Sequence, residues 1–596
     1  MPDLACLRDG LLEQEKYQLQ QAGYRVVDVV DRDGVWTFTV VASAEKTGMD
    51  EVELTVICPP AYPVMPPIVT AEQLGMQHHQ NPFTGELCLL AAPTQNWQPH
   101  WKLAGLLERQ LHKTLSAGYA DAGTLAIEDE ADQGEPYSAY YSYMPAAGFL
   151  IDSDKANPAP GSRGVMGARL AATQVAGLEG ARLLGVIDEL RAGEDVVYSA
   201  PAGLESVLDP YPPVQVTGQW VVLDAPPIEC KPDKKLWEKI GSGENGKTQP
   251  FTLTGTNNGP SYELRAIGFP EEHEHGTTTM GWVFVLRQVG GINQTYRAGY
   301  GGGAKNNIIP DRYDFVHAYR AGRSDLMYRA PETHGLENRA ITVIGCGAIG
   351  SVIIEHLARA GVGKFTLVDH DTVEPGNLSR HVAAFDTVGA PKVNALAARI
   401  RQINPYAQVA SCVARLGSVT PDGQRCESDM LAKMFAKSDL VVDASADASV
   451  QEYTSLMARA AHKTWVCVDA SPGIGGGTVV KIDAGAEACY GCFLWYQASD
   501  VNESGHIPSA VKIEDKGVQP AGCGQRTFTG TGFDLAPVSA QAARVAVGAL
   551  LEGFDGGYPL DGFDAHILSL RDEHGIPCPP RWDGYIFGKN PRCGIH

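Results

Sequence analysis

The stretch AITVIGCGAIGSVIIEHLARAGVGKFTLVDHD, residues 340–371, decides the fold of the C-terminal half of this 596-residue chain. It predicts a strand at 341–344, a glycine-rich turn, a helix at 351–360 and a second strand. Apolar runs that are bounded by glycine and alternate with helices are typical of a parallel sheet covered on both faces. We therefore predict an α/β domain here, within an α/β multidomain protein.

The turn after the first strand is GCGAIG, with glycines at Gly345, Gly347 and Gly350. Glycine permits a tight turn and lets backbone N–H groups at the helix N-terminus approach a phosphate. Asp369 ends the next strand, where a carboxylate can hold ribose hydroxyls. These features predict a nucleotide site. A nicotinamide-dependent oxidoreductase would look the same, and a packed glycine turn without a ligand is the other interpretation.

The residues that follow separate these alternatives. The run from 367 to 405 carries an aspartate pair, N-L-x-R, G-x-x-K and I-N-P, with the side chains Asp369, Asp371, Asn377, Arg380, Lys392 and Ile403-Asn404-Pro405. It resembles the ThiF-type activating-enzyme family, which includes the sulfur-carrier activators and the ubiquitin activators. A dehydrogenase has no need of Asn, Arg and Lys in that order. An adenylating enzyme needs cations, because attack on the α-phosphate develops negative charge.

The resemblance implies a Rossmann-like adenylation domain that uses ATP and Mg²⁺. The residues it implies for nucleotide binding are Gly345, Gly347, Gly350, Asp369, Asp371, Asn377, Arg380, Lys392 and Asp447. Arg380 and Lys392 would also act in catalysis, and Asp447, in DLVVDASAD, would hold magnesium. Asp443 on the same strand is the competing candidate, with packing or capping as its alternative role.

Five cysteines in this half are candidates for chemistry. In the family, the position of Cys523, in a glycine-rich loop, holds the thiol that takes over the activated acyl group, and nearby Arg526 could favour the thiolate. An inert loop cysteine is the alternative. The CxxC spacing of Cys489 and Cys492 is common in half of a zinc site, and tetrahedral zinc needs four ligands. Buried free thiols are the alternative. The family has two CxxC pairs. This chain has one, so we predict that Cys578 and Cys593 complete the zinc site, with His596 as a substitute.

The N-terminal part carries a second set of motifs. PPAYPVMPP at 59–67 and HQNPFTGELCLL at 79–90 resemble the signatures of ubiquitin-conjugating enzymes, although Gln80 replaces a proline. Trp97 and Pro99 match a further motif. The resemblance implies that Cys88 holds an acyl thioester and that Asn81 donates to the oxyanion. His79 is interpreted as a structural loop residue, and a conjugating-like fold that only binds a partner remains open.

These motifs predict three parts. Residues 1–120 form a ubiquitin-conjugating-like α+β domain, residues 121–325 a middle or linker domain of unknown role, and residues 326–596 the ThiF-type adenylation domain. In the middle part, strand-like runs at 219–223 and 281–286 accompany an Ala-rich stretch near 167–192 that we predict to be helical. The chain length agrees with several separate cores.

Composition limits the classes of partner. The 48 basic and 70 acidic residues give a formal net charge of −22, which disfavours binding to nucleic acid or anionic lipid. No apolar run approaches the roughly 18 residues needed to cross a bilayer, and the first residues lack a signal-peptide pattern. The 13 cysteines are mostly isolated, unlike a disulfide framework. We expect a cytoplasmic protein.

Together the resemblances imply an enzyme that activates the C-terminal carboxylate of a small protein and passes it from Cys523 to Cys88 and then to an acceptor lysine. The architecture resembles bacterial fused activating and conjugating proteins of anti-phage defence operons. The conjugated partner would be a ubiquitin-like protein or a nucleotidyltransferase with a conjugatable C-terminus. The family implies a homodimer, for which Arg320, Arg323 and Arg329 are candidate interface arginines. A sulfur-carrier activator and a non-catalytic scaffold are the alternatives.

Overall fold

The computed structural model describes the chain in two compact units. The first comprises Met1–Ser199 and Tyr211–Arg320, and the second Ala200–Pro210 and Ala321–His596. The described residues are 8, 10–76, 78–90, 96–119, 134–173, 182–241, 248–252, 260–274, 277–295, 305–417, 428–514, 517–518, 529–572 and 574–595. Within these residues, every helix is too short or too polar to span a membrane.

The N-terminal part of the first unit is a four-stranded antiparallel sheet with helices. Its elements are α1 (Leu11–Gln21), β1 (Arg25–Arg32), β2 (Val35–Ala42), α2 (Ala44–Thr47), β3 (Val52–Cys58), β4 (Ile68–Thr70) and α3 (Lys102–Gly118). Strand β3 alternates, so that Val52, Leu54, Val56 and Cys58 are buried. Helix α3 buries leucines at helical spacing against the same core. Each buried leucine contributes roughly 2 kcal/mol.

A buried acid joins these elements. Glu15 on α1 is fully buried and accepts hydrogen bonds from the Tyr62 hydroxyl at 2.7 Å and the Leu103 backbone N–H at 3.0 Å. Burial raises the pKa of the Glu15 carboxyl, although the two hydrogen bonds oppose the shift. Tyr62, from the proline-rich segment, is therefore a core residue.

The rest of the first unit is a mixed sheet whose strands close on themselves. Seven strands form the ring in the order β11, β12, β15, β5, β7, β6 and β9, and β9 pairs back with β11. The elements are β5 (Tyr143–Ile151), β6 (Arg163–Thr173), β7 (Arg182–Ala192), β8 (Asp195–Ser199), β9 (Val214–Val222), α5 (Lys234–Gly241), β10 (Phe251–Thr252), β11 (Ser261–Glu274), β12 (Thr277–Gln288), β13 (Gly291–Thr295), β14 (Lys305–Ile309) and β15 (Arg312–Arg320), and the short helix α4 (Ala202–Glu205) belongs to the second unit.

The predicted helix near 167–192 was wrong. That stretch forms the antiparallel strands β6 and β7. Met166, Ala168 and Leu170 are buried at every second position, which is the period of a strand. Alanine and leucine favour helices, but their propensities differ by less than about 1 kcal/mol per residue, and pairing on both sides within the ring outweighs them.

The second unit is built on an eight-stranded sheet in the order β18, β17, β16, β19, β20, β21, β22 and β23. The first five strands are parallel and the last three antiparallel, so the predicted parallel sheet forms one part of a mixed one. Two apolar clusters pack on the sheet. The elements are α6 (Arg323–Met327), β16 (Ala340–Ile344), α7 (Ala348–Arg359), β17 (Lys364–Asp369), α8 (Lys392–Ile403), β18 (Gln408–Val413), α9 (Ser428–Ala436), β19 (Leu440–Asp443), α10 (Ala448–Ala460), β20 (Thr464–Ala470), β21 (Gly476–Ile482), α11 (Tyr490–Ala498), α12 (Gly532–Leu550), β22 (Ala565–Arg571) and β23 (Pro577–Tyr585).

Candidate functional site

The glycine turn joins β16 to α7, and its three glycines have different roles. Gly345 has φ 83°, and a Cβ there would lie 2.6 Å from the Ala444 backbone. A Cβ on Gly350 would lie 1.9 Å from the Gly345 carbonyl oxygen. Gly347 is the N-cap of α7, and a Cβ there would meet nothing within 4 Å. Two glycines are thus required by packing, while the third leaves the helix N-terminus open to a phosphate.

Asp369 holds the turn from the end of β17. One carboxylate oxygen accepts the Cys346 backbone N–H at 2.7 Å, and the other accepts the Asp371 backbone N–H at 2.8 Å. The Asp369 carboxylate therefore orders both the glycine turn and the Asp371 segment. Each oxygen retains a lone pair with which it could accept from a ribose hydroxyl.

Lys392 and Asp371 form an ion pair beside this turn. The Lys392 backbone N–H donates to the Asp371 carbonyl at 2.9 Å, and Nζ donates to the Asp371 carboxylate at 2.7 Å. Burial opposes ionisation of Asp371, but the hydrogen bond and charge of Lys392 hold its pKa below the usual range. The carboxylates of Asp369 and Asp371 and the His370 ring lie within 4.8 Å of one another. Carboxylate oxygens are ligands that Mg²⁺ prefers.

The turn that carries Asn377 and Arg380 is linked to the glycine turn by His381, a residue that belongs to none of the sequence motifs. Asn377 Oδ1 accepts the Glu374 backbone N–H at 3.0 Å, which closes a 3-10 turn. His381 Nδ1 accepts the Ala383 N–H, so Nε2 carries the proton and donates to the Cys346 carbonyl at 2.8 Å. Burial lowers the pKa of His381 and keeps it neutral. Half-buried Arg380 directly precedes it.

The two aspartates after β19 differ in their surroundings. Asp443 is fully buried and accepts from the Ser445 backbone and hydroxyl and from the Thr454 hydroxyl. Burial raises the pKa of its carboxyl. Asp447 is half-buried at the N-cap of α10, where it accepts the Ser449 and Val450 backbone N–H groups. Asp443 thus has the packing role that was its alternative, and Asp447 is the more accessible carboxylate.

Cys523 and Arg526 lie outside the described residues, as does His596. The long helix α12 that follows the Cys523 loop is described, and its apolar face packs into the main core of the second unit.

Three of the four predicted zinc ligands come together. Cys489 Sγ lies 3.8 Å from that of Cys492 and 3.6 Å from that of Cys593. Burial opposes ionisation of Cys492, but the N–H groups of Asn590 and Cys489 and the neighbouring thiols hold its pKa below the usual range. Burial, as the largest cause, raises the pKa of Cys489 to about 12. The three thiols are buried together.

The predicted fourth ligand, Cys578, is not part of this group. It lies near the hairpin end of β23, whereas Phe587, just past the other end, packs on the cysteines. At 3.3 Å per residue, the seven residues from Cys578 to Tyr585 span roughly 23 Å. The sequence shows that two cysteines follow β22. It does not show that β23 separates one of them, Cys578, from the other three thiols.

Cys88 is exposed in the loop between β4 and α3. Its backbone N–H donates to the His79 carbonyl at 2.8 Å. Asn81 Oδ1 accepts the Phe83 and Thr84 N–H groups, so the NH₂ end of Asn81 is the end that could donate to an oxyanion. Gln80, which replaces the family's proline, is buried and ties the loop to Met76 and Ala71.

Comparison with known proteins bears on both parts. Residues 324–553 match the ThiF family, and residues 26–147 match the prokaryotic E2 family B. The chain joins a ThiF domain to a prokaryotic E2 domain. The predicted mixed α/β architecture and the fused activating and conjugating resemblance are therefore confirmed. The ThiF match and its adenylyltransferase relatives support an adenylating domain that uses ATP.

Three relatives illustrate the range of similarity. The uncharacterized protein y4oA of Sinorhizobium fredii is 27% identical over 98% of this chain and 96% of its own length. The molybdopterin-synthase adenylyltransferase of Escherichia coli is 32% identical over 26% of this chain and 59% of its own length. The ATP-dependent ubiquitin transferase-like protein Cap2 of Enterobacter hormaechei is 26% identical over 31% of this chain and 32% of its own length.

Proposed function

We propose that the ThiF domain activates the C-terminal carboxylate of a protein partner and that the E2 domain transfers the acyl group to an amine. The observation that carries the proposal is that one chain holds both the glycine turn with its Lys392–Asp371 pair and the exposed Cys88, which lines one cavity with Asn81. The similarity to Cap2, an ATP-dependent ubiquitin transferase-like protein, supports it.

In the first step, a carboxylate oxygen attacks the α-phosphorus of ATP, the bond to the β-phosphate oxygen breaks, and pyrophosphate leaves. Negative charge develops on the phosphate oxygens, and Arg380 and Lys392 supply the cations that stabilise it. Magnesium bound with ATP would neutralise further charge, and Asp447 is the carboxylate that we assign to it, with Asp369 and Asp371 close to the glycine turn. The Asn377 carbonyl accepts the Arg380 backbone N–H at 3.0 Å, so the same turn fixes the backbone at Arg380.

In the second step, the Cys523 thiolate attacks the acyl adenylate and AMP leaves. The Cys88 thiolate then attacks that thioester, and Cys523 departs as a thiolate. A lysine amine finally attacks the Cys88 thioester; the C–S bond breaks, Cys88 leaves as a thiolate, the surplus amine proton passes to water, and an amide results. Covalent linkage of the two domains raises the effective concentration of each thiol for the other.

A zinc ion bound by Cys489, Cys492 and Cys593 would hold the segment after β23 to α11. Three buried thiols with Sγ distances of 3.6 and 3.8 Å fit the donor set that structural zinc uses. The fourth ligand would come from outside this group, and His596 is the candidate. Elemental analysis tests the proposal. We expect one zinc per parent chain, none in Cys593→Ser and one in Cys578→Ser; equal zinc contents in the two variants would contradict it.

The partner would be a ubiquitin-like protein or a nucleotidyltransferase, the acceptor a lysine-bearing protein, and the setting bacterial anti-phage defence. Nucleic acid and membranes are not expected partners. We also propose a homodimer, for which Arg320, Arg323 and Arg329 remain candidates. Arg320 donates to Thr279 and Arg323 stacks on Tyr406, so Arg329 has the fewest competing contacts of the three among the described residues.

A sulfur-carrier activator is the second candidate, favoured by the molybdopterin-synthase adenylyltransferase relative. It would make a thiocarboxylate and would need no E2 domain.

The experiment that separates the candidates is incubation of the full chain with ATP and the protein encoded beside it. Our proposal expects a carrier thioester that a reducing agent cleaves, and Cys88→Ala should leave it on Cys523. Loading of Cys88 in Cys523→Ala at the parent rate would refute the relay.

A further inference from the structure

A short tyrosine-rich segment outside the predicted conjugating domain borders the Cys88 loop. We call residues 134–143 the tyrosine segment; it forms a 3-10 turn at Tyr137–Tyr140 and runs into β5. The E2 family match continues to residue 147 and so includes this segment, well past the boundary predicted at residue 120. The segment is thus a candidate part of the conjugating site.

The tyrosine segment is fixed to the ring of strands behind it. The Ser138 backbone N–H and hydroxyl donate to the two oxygens of Glu271 on β11 at 2.8 and 2.9 Å. The Tyr143 hydroxyl donates to the Ser138 carbonyl, and the Tyr141 ring lies 4.7 Å from that of Phe315. These contacts hold the segment from one side.

On its other side, the tyrosine segment contacts the loop that carries Cys88 through hydrogen bonds and aromatic packing. The two oxygens of Glu135 accept the His79 backbone N–H at 2.7 and 2.8 Å, and the His79 carbonyl in turn accepts the Cys88 N–H. The Phe83 ring packs against Tyr137 at 5.5 Å and Tyr141 at 5.7 Å. His79 has φ 61°, a left-handed conformation that costs energy in a residue with a side chain. The hydrogen bonds from its N–H to Glu135 hold the His79 backbone in this conformation.

Tyr140 is the residue of the tyrosine segment that lies at the cavity next to Cys88. It lines the cavity of about 350 Å³ that also contains Cys88 and Asn81. Among the described residues, the other walls are mainly proline, valine, isoleucine and leucine side chains, with Gln80 and Glu86 as the polar members. Its hydroxyl lies 3.5 Å from Glu135 Oε2, too long for a strong hydrogen bond, so the hydroxyl is able to turn toward another acceptor. The apolar side chains lower the local polarity, which strengthens a hydrogen bond made against them.

We propose that Tyr140 donates a hydrogen bond to the negative charge that develops when an amine attacks an acyl thioester on Cys88. This role rests on the function proposed above for Cys88. Tyr140 and the NH₂ end of Asn81 then form two donors on one cavity, one from the tyrosine segment and one from the Cys88 loop.

The chemistry of the step is balanced by groups already named. The amine nitrogen forms a bond to the thioester carbonyl carbon, whose oxygen becomes an oxyanion. As the carbonyl re-forms, the C–S bond breaks, Cys88 leaves with the electron pair as a thiolate, and the surplus amine proton passes to water. Burial, followed by the charges of Glu135 and of a Cys88 thiolate, raises the pKa of Tyr140. The phenol therefore stays protonated at neutral pH and acts as a donor.

The test uses the full chain with Cys523→Ala, charged at Cys88 by a fluorescent Gly-Gly peptide thioester of 2-mercaptoethanesulfonate. Mass spectrometry confirms the charged residue, and discharge is followed against free lysine. We expect Tyr140→Phe to lower the maximal discharge rate about 100- to 1,000-fold, as for loss of one oxyanion donor, with the half-saturating lysine concentration unchanged. Melting temperature and alkylation of uncharged Cys88 by iodoacetamide should not change.

Two control variants separate this role from a structural one. Tyr137→Phe keeps the ring that packs on Phe83 and should discharge within about twofold of the parent. Glu135→Gln keeps an acceptor for the His79 N–H and should slow discharge less than Tyr140→Phe. An unchanged rate in Tyr140→Phe, or a fall in either control variant as large as the fall in Tyr140→Phe, overturns the proposal. A parent chain that takes no acyl group at Cys88, or never passes it to lysine, overturns the function proposed for Cys88 instead.

Discussion

The glycine turn and the Cys88 loop are both backbone turns that present reactive chemistry, but their supporting contacts come from different distances along the chain. Asp369 and His381, on the next segments of the same domain, hold the glycine turn. The Cys88 loop depends on Glu135 and on two tyrosines beyond residue 120. The first arrangement can be read from one stretch of sequence. The second becomes visible only when the chain is folded.

Substitution of Lys392 gives the largest expected effect on the locally built site. Lys392→Ala removes the Asp371 ion pair and the cation beside the glycine turn, and we expect carrier-dependent pyrophosphate exchange to fall at least about 100-fold. Arg401→Ala, on the exposed face of the same helix α8, is the matched control and should retain the parent rate. Undiminished exchange in Lys392→Ala would remove the catalytic assignment, and reduction of NAD by the parent would change the enzyme class.

Two alanine substitutions distinguish packing from ligand binding within the glycine turn. Gly350→Ala places a methyl group 1.9 Å from a carbonyl oxygen, and we expect a loss of at least about 3 kcal/mol in the free energy of unfolding. Gly347→Ala meets open space and should melt at the parent temperature while binding ATP roughly tenfold more weakly. Calorimetry gives both quantities. Equal destabilisation of the two variants would show that the open position at Gly347 has no special role.

The distant support of the Cys88 loop is tested by Phe83→Ala. The substitution removes two aromatic contacts, each worth about 0.5–1.5 kcal/mol, and so should lower the free energy of unfolding of the first unit by about 1–3 kcal/mol. Hydrogen exchange should accelerate at His79 and Cys88 and stay unchanged at Cys346. Thr84→Ala, one residue further and exposed, is the control. Faster hydrogen exchange at Cys346 as well as at His79 and Cys88 would contradict the view that Phe83 supports only the Cys88 loop.

The smallest expected effect concerns buried Glu15. Its raised pKa means that the folded state favours the protonated acid, so its stabilising contribution is present below the unfolded pKa of 4.5 and is lost as the pH rises through the folded value. Glu15→Gln should therefore stabilise the chain by about 1 kcal/mol at pH 7, with the difference shrinking toward pH 4.5. Urea unfolding at both pH values measures it. A destabilised variant at pH 7 would show that the charged form is required.

Sequence alone was sufficient for the fold around the glycine turn, which depends on neighbouring residues. The strand, turn and helix around Gly345 and the side chains as far as Lys392 lie along one continuous pattern, and the ThiF match covers it. It failed for the helix predicted near 167–192, because pairing within the ring overrides alanine propensity, and for Cys578, because β23 carries it away from the other thiols. Glu135 has no motif that would mark it.

The ring of strands has a consequence for how the first unit folds. Strands β5 and β15 pair in parallel although they lie roughly 170 residues apart, and such non-local pairing is slow because a long loop must close first. Until β15 has been synthesised, β5 to β7 have only part of their partners, and their apolar faces are exposed to aggregation. We expect the Cys88 loop to gain its final form late in biosynthesis, after the chain has passed residue 320, so that a nascent chain is held inactive until its ring has closed.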